Sequence, residues 1–223
     1  MAYRVLSTKK LLPNQRHFLL NAGLSVVEAD FIGITYMPFN INTINPNLIF
    51  TSRNGFNAFL ANKRSVIYNG SSVFCVGSNT RTFIDSHGFN VVACTDDAQT
   101  LGESIVKNHP HESFTFFSGN LRRNELPSVL TEGHIDYNEI EVYKTALTPH
   151  KITAKPNGIL FFSPSAVASY IKENTITNEA CFCIGNTTAA ALSGITNNII
   201  VANKPSVENV IVQVRNYFSK EEI

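Results

Sequence analysis

The chain repeats itself once. Ile49-Phe50-Thr51-Ser52-Arg53-Asn54-Gly55-Phe56 resembles Leu160-Phe161-Phe162-Ser163-Pro164-Ser165-Ala166-Val167, and Phe74-Cys75-Val76-Gly77-Ser78-Asn79-Thr80 resembles Phe182-Cys183-Ile184-Gly185-Asn186-Thr187-Thr188. Asp97-Ala98-Gln99-Thr100-Leu101 lines up with Ser206-Val207-Glu208-Asn209-Val210, and residues 5–31 align with 115–141, Gly23 opposite Gly133. All four alignments share a spacing of about 110 residues, and the linker prolines pair as well, Pro38 with Pro149 and Pro46 with Pro156. A solenoid needs at least three short units, so two long copies in 223 residues mean two similar domains. With 43% hydrophobic and 16% charged residues the chain has the apolar material for two cores.

Each copy reads as strand, helix, strand, linker, strand, helix, strand, helix. Val73-Phe74-Cys75-Val76 and Cys181-Phe182-Cys183-Ile184 are short, continuously apolar runs, the pattern of strands buried on both faces of a parallel sheet. Asp97 and Ser206 are expected to cap the helices that follow them. The fold class is therefore α/β, with a parallel sheet in each copy. Repeat arithmetic leaves the pairing of segments 3–35, 40–110, 113–145 and 150–223 open. The first can fold with the second and the third with the fourth, or the two middle segments can fold together and the two outer ones together.

Polar groups gather just after the predicted strands, where open α/β sheets bind ligands. Ser7-Thr8-Lys9-Lys10, Thr51-Ser52-Arg53, Gly77-Ser78-Asn79-Thr80-Arg81 and Ser118-Gly119-Asn120-Leu121-Arg122-Arg123 occupy such places, as do Ser163-Pro164-Ser165 and Gly185-Asn186-Thr187-Thr188. Gly and small hydroxyl residues at helix starts leave backbone N–H groups free to face an anion, and the helix dipole favours negative charge there. Ser and Thr also cap helices with no ligand involved. The recurrence at four or more strand ends makes a small molecule with several separated anionic groups the competing explanation.

Other chemistry is scarce. Eighteen Lys and Arg against 17 Asp and Glu give a net charge of +1, without the basic excess of a general nucleic-acid binder. Phosphate-loop, dinucleotide and nucleophile-elbow fingerprints are all missing. Cys181 and Cys183 would share a strand face, but no second ligand pair with zinc spacing accompanies them. All four cysteines (Cys75, Cys94, Cys181 and Cys183) read as buried reduced thiols, with no metal site expected. The first ten residues hold no signal-type apolar core, and no apolar run approaches the ~18 residues of a membrane span. The expectation is a soluble, cytoplasmic chain that binds a small molecule and engages neither nucleic acid nor membrane.

Six of these motifs, in this order, resemble the uroporphyrinogen-III synthase family: Leu48-Ile49-Phe50-Thr51-Ser52, Val76-Gly77-Ser78-Asn79-Thr80, Ser118-Gly119-Asn120-Leu121-Arg122-Arg123, Glu141-Val142-Tyr143-Lys144-Thr145, Phe161-Phe162-Ser163-Pro164-Ser165 and Ile184-Gly185-Asn186-Thr187-Thr188-Ala189. The resemblance implies two flavodoxin- or Rossmann-like domains joined by a two-stranded β-ladder, with the active site in the cleft between them. It implies exchange of the segments, with residues 1–36 and 148–223 forming one domain and 37–147 the other. The implied substrate is hydroxymethylbilane, a linear tetrapyrrole bearing eight carboxylates. The implied reaction needs no cofactor. Loss of the ring A hydroxyl gives an azafulvene cation, ring D attacks it through its substituted α-carbon, and the spiro intermediate fragments and recloses with ring D inverted. Tyr143 matches the tyrosine to which the family assigns general-acid help for the departing hydroxyl, and a packing role on the ladder strand is the alternative. Thr51, Ser52, Gly77, Thr80, Asn120, Arg122, Ser163, Ser165, Thr187 and Thr188 are the implied substrate-binding residues, with Lys9 a further candidate where the family more often has Arg. The family also implies a monomer. A non-catalytic binding protein for a polycarboxylate, or an inactive relative, would carry the same architecture.

Overall fold

The computed structural model describes residues 3–40 and 43–219. In chain order its elements are β1 (Arg4–Ser7), α1 (Pro13–Asn21), β2 (Ser25–Glu28), β3 (Ile32–Tyr36), β4 (Asn47–Phe50), α2 (Arg53–Ala61), β5 (Ser72–Val76), α3 (Ser78–Asp85), β6 (Asn90–Thr95), α4 (Ala98–Asn108), β7 (Ser113–Gly119), α5 (Glu125–Glu132) and β8 (Asp136–Leu147). There follow β9 (Gly158–Phe161), α6 (Pro164–Tyr170), β10 (Ala180–Cys183), α7 (Asn186–Ala190), β11 (Ile199–Val201) and α8 (Val207–Phe218). They form two units. One comprises Ile34–Thr145; the other takes the described residues up to Gly33 and from Ala146 onward.

The middle unit carries a six-stranded sheet in the order β3-β8-β7-β4-β5-β6. From β8 to β6 every neighbouring pair is parallel. β3 is added outside β8 in the reverse direction, Met37 N–H donating to the Val142 carbonyl and Thr148 N–H to that of Phe31. The other unit carries a five-stranded, wholly parallel sheet in the order β11-β10-β9-β1-β2. Apart from β3 the two orders are the same arrangement, β4 answering to β9, β5 to β10, β6 to β11, β7 to β1 and β8 to β2. The β1 strand pairs with β9, and β4 with β7.

Each copy carries four helices where the expected pattern has three, α1–α4 and α5–α8. Each copy has one more strand than the apolar runs announce, β6 in one and β11 in the other. Both lie at the edge of their sheets. β6 alternates and then runs half-buried, and β11 is only three residues long and half-buried throughout. An edge strand of that kind lacks the continuous apolar run that identifies β4, β9 and β10, each buried at all four positions.

Packing fixes where the strands end. Phe50 and Phe117 are register partners on β4 and β7 and stack with ring centroids 5.0 Å apart and planes 9° from parallel. Phe56 and Phe59 from α2 close over them. All four rings are essentially fully buried, each contributing about 1.5–3 kcal/mol by burial. This aromatic layer sits at the last rung of the β4–β7 pair; Thr51-Ser52 then leave the sheet, while Ser118 and Gly119 stay buried and continue the pairing of β7 with β8. In the other unit Thr8 performs the closing role. It is buried, and both its N–H and its Oγ1 donate to the Leu160 carbonyl, at 3.1 and 2.7 Å.

Helices α4 and α5 touch through Gly102. A Cβ there would stand 2.8 Å from Cγ1 and 2.9 Å from Cβ of Val129, a stiff β-branched neighbour. Gly102→Ala is therefore expected to destabilise the fold by about 1–2 kcal/mol, overpacking outweighing alanine's better helix propensity. A urea midpoint at or above that of the unsubstituted chain would contradict this.

Candidate functional site

In each sheet the winding reverses between two central strands, β4 and β7 in one unit and β9 and β1 in the other. The crevice outside the carboxyl ends at such a reversal is the usual ligand site of open α/β sheets.

In the middle unit Ser52 caps α2, its Oγ accepting the Gly55 N–H at 3.3 Å. The same Oγ is hydrogen-bonded to the Tyr143 hydroxyl at 3.0 Å. The half-buried Tyr143 ring lies on Gly119, where a Cβ would stand only 2.3 Å from Cζ. Asn120 ties the end of β7 to β8. Its N–H donates to the Tyr143 carbonyl at 3.3 Å, its Oδ1 accepts the Thr145 N–H at 2.8 Å, and its Nδ2 donates to the Thr145 carbonyl at 3.2 Å. Ser52, Asn120 and Tyr143 are thus brought together, with Gly119 as a fourth member.

Arg122 stands differently. Its Nε and Nη2 donate to the two carboxylate oxygens of Glu139, at 2.7 and 2.9 Å, and its Nη1 to Asn124 Oδ1 at 2.9 Å. The bond to Glu139 raises the Arg122 pKa. On Glu139 burial pushes upward, but the hydrogen bonds from Arg122 and Ser118 leave its carboxyl below the ordinary value. Arg122 already holds a carboxylate, and the hollow of about 420 Å³ beside it is lined by Glu139 and Glu141 as well as Ser118 and Asn120.

Gly77 sits at the start of α3 with φ of 85°, a left-handed conformation that favours glycine, and the buried Thr80 donates its N–H to the Gly77 carbonyl. In the other unit Ser163 caps α6, accepting the Ala166 N–H at 3.1 Å, and Ser165 lies in that helix's first turn. Thr187 is exposed and Thr188 buried at the start of α7, which opens on Gly185 without a side-chain cap. The Lys9 ammonium lies 4.8 Å from the centre of the Phe162 ring and close enough to Glu208 to lower that group's pKa.

The helix starts fall into two groups. Those of α4, α5 and α8 are supplied with carboxylates of the chain itself at the cap or in the first turn, whereas α1 has none there and meets carboxylates only through residues ahead of its cap. Asp97 caps α4 and is held below the ordinary carboxylate range by the Thr100 backbone N–H and hydroxyl. Glu125 lies in the first turn of α5. Glu208 lies in the first turn of α8, lowered first by its own backbone N–H and next by Gln15. Ahead of α1, the N–H groups of Lys10 and Leu11 donate to Asp30 and Glu28. The starts of α2, α3, α6 and α7 carry no acidic residue. These four follow β4, β5, β9 and β10, and they are equivalent pairs in the repeat. The expected caps Asp97 and Ser206 are both present, Ser206 accepting the Asn209 N–H.

Sequence reasoning did not single out Gly119 and Glu139. Gly119 stood among the polar residues after β7, but its meeting with a ring 24 positions away follows from the β7–β8 register. The arginine's partner is likewise set by β8 and leaves no mark in the local pattern.

The model for the family described as Uroporphyrinogen-III synthase HemD matches residues 17–211. No curated protein matches the chain. Among solved structures, a uroporphyrinogen-III synthetase from Helicobacter pylori superposes with a TM-score of 0.72 at 20% identity, covering 97% of this chain and all of that one. A mutant uroporphyrinogen III synthase from the extremely thermophilic bacterium Thermus thermophilus gives a TM-score of 0.69 at 12% identity, covering 98% of this chain and all of that one.

Three of the four cysteines are buried as expected; Cys94, on the edge strand β6, is only half-buried. Cys75, Cys181 and Cys183 are buried, and burial pushes each thiol up to about 12. At pH 7 these three are expected to stay unlabelled by an aromatic disulfide reagent until the chain is unfolded, leaving Cys94 as the only thiol able to react in the native state. Rapid native labelling of two or more thiols would contradict this.

Proposed function

The chain belongs to the uroporphyrinogen-III synthase family of haem-biosynthesis enzymes, and on that premise we propose that it acts as a cyclising hydro-lyase, converting hydroxymethylbilane into uroporphyrinogen III. The observation that carries the reading is the division of the helix starts. The starts of α2 and α3, and of their repeat equivalents α6 and α7, carry no acid and suit carboxylates of a ligand. Thr51, Ser165 and Thr187 support it with hydroxyls that have no hydrogen-bond partner among the described residues, whereas the backbone N–H groups of Gly77, Thr80 and Thr188 already donate to the carbonyls of Thr95, Gly77 and Gly185.

The chemistry asked of the protein is small. Tyr143 donates its phenolic proton to the ring A hydroxyl as the carbon–oxygen bond breaks, so water leaves and an azafulvene cation remains. Ring D attacks through its substituted α-carbon, the spiro intermediate fragments, and the other α-carbon closes the macrocycle. The proton released as the pyrroles regain aromaticity restores the phenol. Free hydroxymethylbilane closes spontaneously to isomer I, so the larger contribution is orientation: carboxylates held at fixed strand ends bring the substituted carbon into attack distance. Arg122 enters as a carboxylate ligand only by exchanging Glu139 for a substrate carboxylate.

Fresh hydroxymethylbilane incubated at neutral pH with and without the protein, then oxidised and resolved by chromatography, is expected to give an excess of isomer III over the blank. Isomer I alone from folded protein would sink the synthase reading and leave a binding protein or an inactive relative. Tyr143→Phe is expected to lower turnover roughly a hundredfold, the low end for a positioned proton donor, with the fold intact.

A further inference from the structure

We infer that Ser52 acts on Tyr143 rather than on substrate: its hydroxyl donates to the tyrosine oxygen and holds the phenolic proton outward, ready for transfer. The inference rests on Tyr143 being the proton donor proposed above.

Three contacts fix the tyrosine from different sides. Asn120 binds the backbone of Tyr143 and Thr145, Gly119 seats the ring where any side chain would collide, and Ser52 meets the hydroxyl at 3.0 Å. A serine hydroxyl offers one proton and two lone pairs. One lone pair of Ser52 already accepts the Gly55 N–H, which turns that side of the oxygen toward the helix. The serine's proton and its second lone pair both remain for Tyr143 Oη, so the geometry allows either oxygen to donate; in the inferred arrangement Ser52 donates, and the tyrosine's own proton is left to face outward. As that proton moves to the departing hydroxyl, negative charge grows on Oη. The Ser52 hydrogen bond becomes charge-assisted at that moment, so it stabilises the transition state more than the ground state. Ser52 is also the first residue of an acid-free helix start, so the positive end of α2 adds to the effect.

The repeat supplies an internal comparison. Ser163 occupies the equivalent place in the other unit and caps α6 in the same way, yet its Oγ has no second partner among the described residues. Capping accounts for both serines. The bond to a phenol belongs to Ser52 alone of the pair.

The test is a double-mutant cycle on the full chain with hydroxymethylbilane as substrate. Ser52→Gly removes the hydroxyl while keeping a residue well tolerated at a helix cap, and Ser52→Ala serves as a second deletion. Ser52→Gly is expected to lower kcat about tenfold, as loss of a hydrogen bond to a developing charge does, with KM changed less than about twofold. Ser52→Thr is expected to restore most of kcat. In a Tyr143→Phe background the same Ser52→Gly substitution should change kcat by less than about twofold, because the group it serves is gone. Three results would overturn the inference: a raised KM with kcat intact, which makes Ser52 a substrate contact; an unchanged kcat; or losses that multiply in full across the two substitutions. A wild-type kcat in Tyr143→Phe alone marks a different failure, that of the tyrosine as acid.

Discussion

Parallel pairing of the strands is the constraint on which the candidate site depends. A parallel strand must be reached by a crossover, so each strand leaves its sheet at the same edge and each following helix begins there. Five parallel strands in each unit therefore deliver a row of helix starts to one edge, whatever their side chains. The buried aromatic layer of Phe50, Phe117, Phe56 and Phe59 then fixes where the middle pair stops, to within one residue. The polar residues of the candidate site follow directly, Thr51 and Ser52 half-buried and Ser118 and Gly119 still buried.

At those residues capping and ligand binding use the same atoms. Ser52 and Ser163 are genuine caps, so the bland explanation for a serine after a strand holds in both units. A neutral cap satisfies one backbone N–H and leaves the positive end of the helix uncompensated. A carboxylate at the cap, as with Asp97, or in the first turn, as with Glu125 and Glu208, compensates it. The informative distinction is whether the chain supplies its own anion, and it withholds one at the same two places in each copy.

Much of this was legible in the sequence because it is written in local pattern. Continuous apolar runs marked β5 and β10, the spacing of the copies marked two alike α/β units, and Asp97 and Ser206 announced helix starts. What stayed hidden is set by register or by edge position. The β6 and β11 strands are half-covered, so nothing demands a continuous apolar run of them. Glu139 meets Arg122, and Tyr143 meets Gly119 and Ser52, across β8. Those meetings show Arg122 already paired with a carboxylate, and Ser52 and Asn120 hydrogen-bonded to Tyr143 and its strand.

The most direct test of the account is where a polycarboxylate tetrapyrrole touches the backbone. Uniformly 15N-labelled protein would be titrated anaerobically with uroporphyrinogen III, and its amide resonances followed residue by residue. The account predicts that the largest shifts fall at the starts of α2, α3, α6 and α7, on residues 52–55, 77–80, 163–166 and 185–188. Equal or larger shifts at the acid-supplied starts of α4 and α8, residues 97–100 and 206–209, would contradict it.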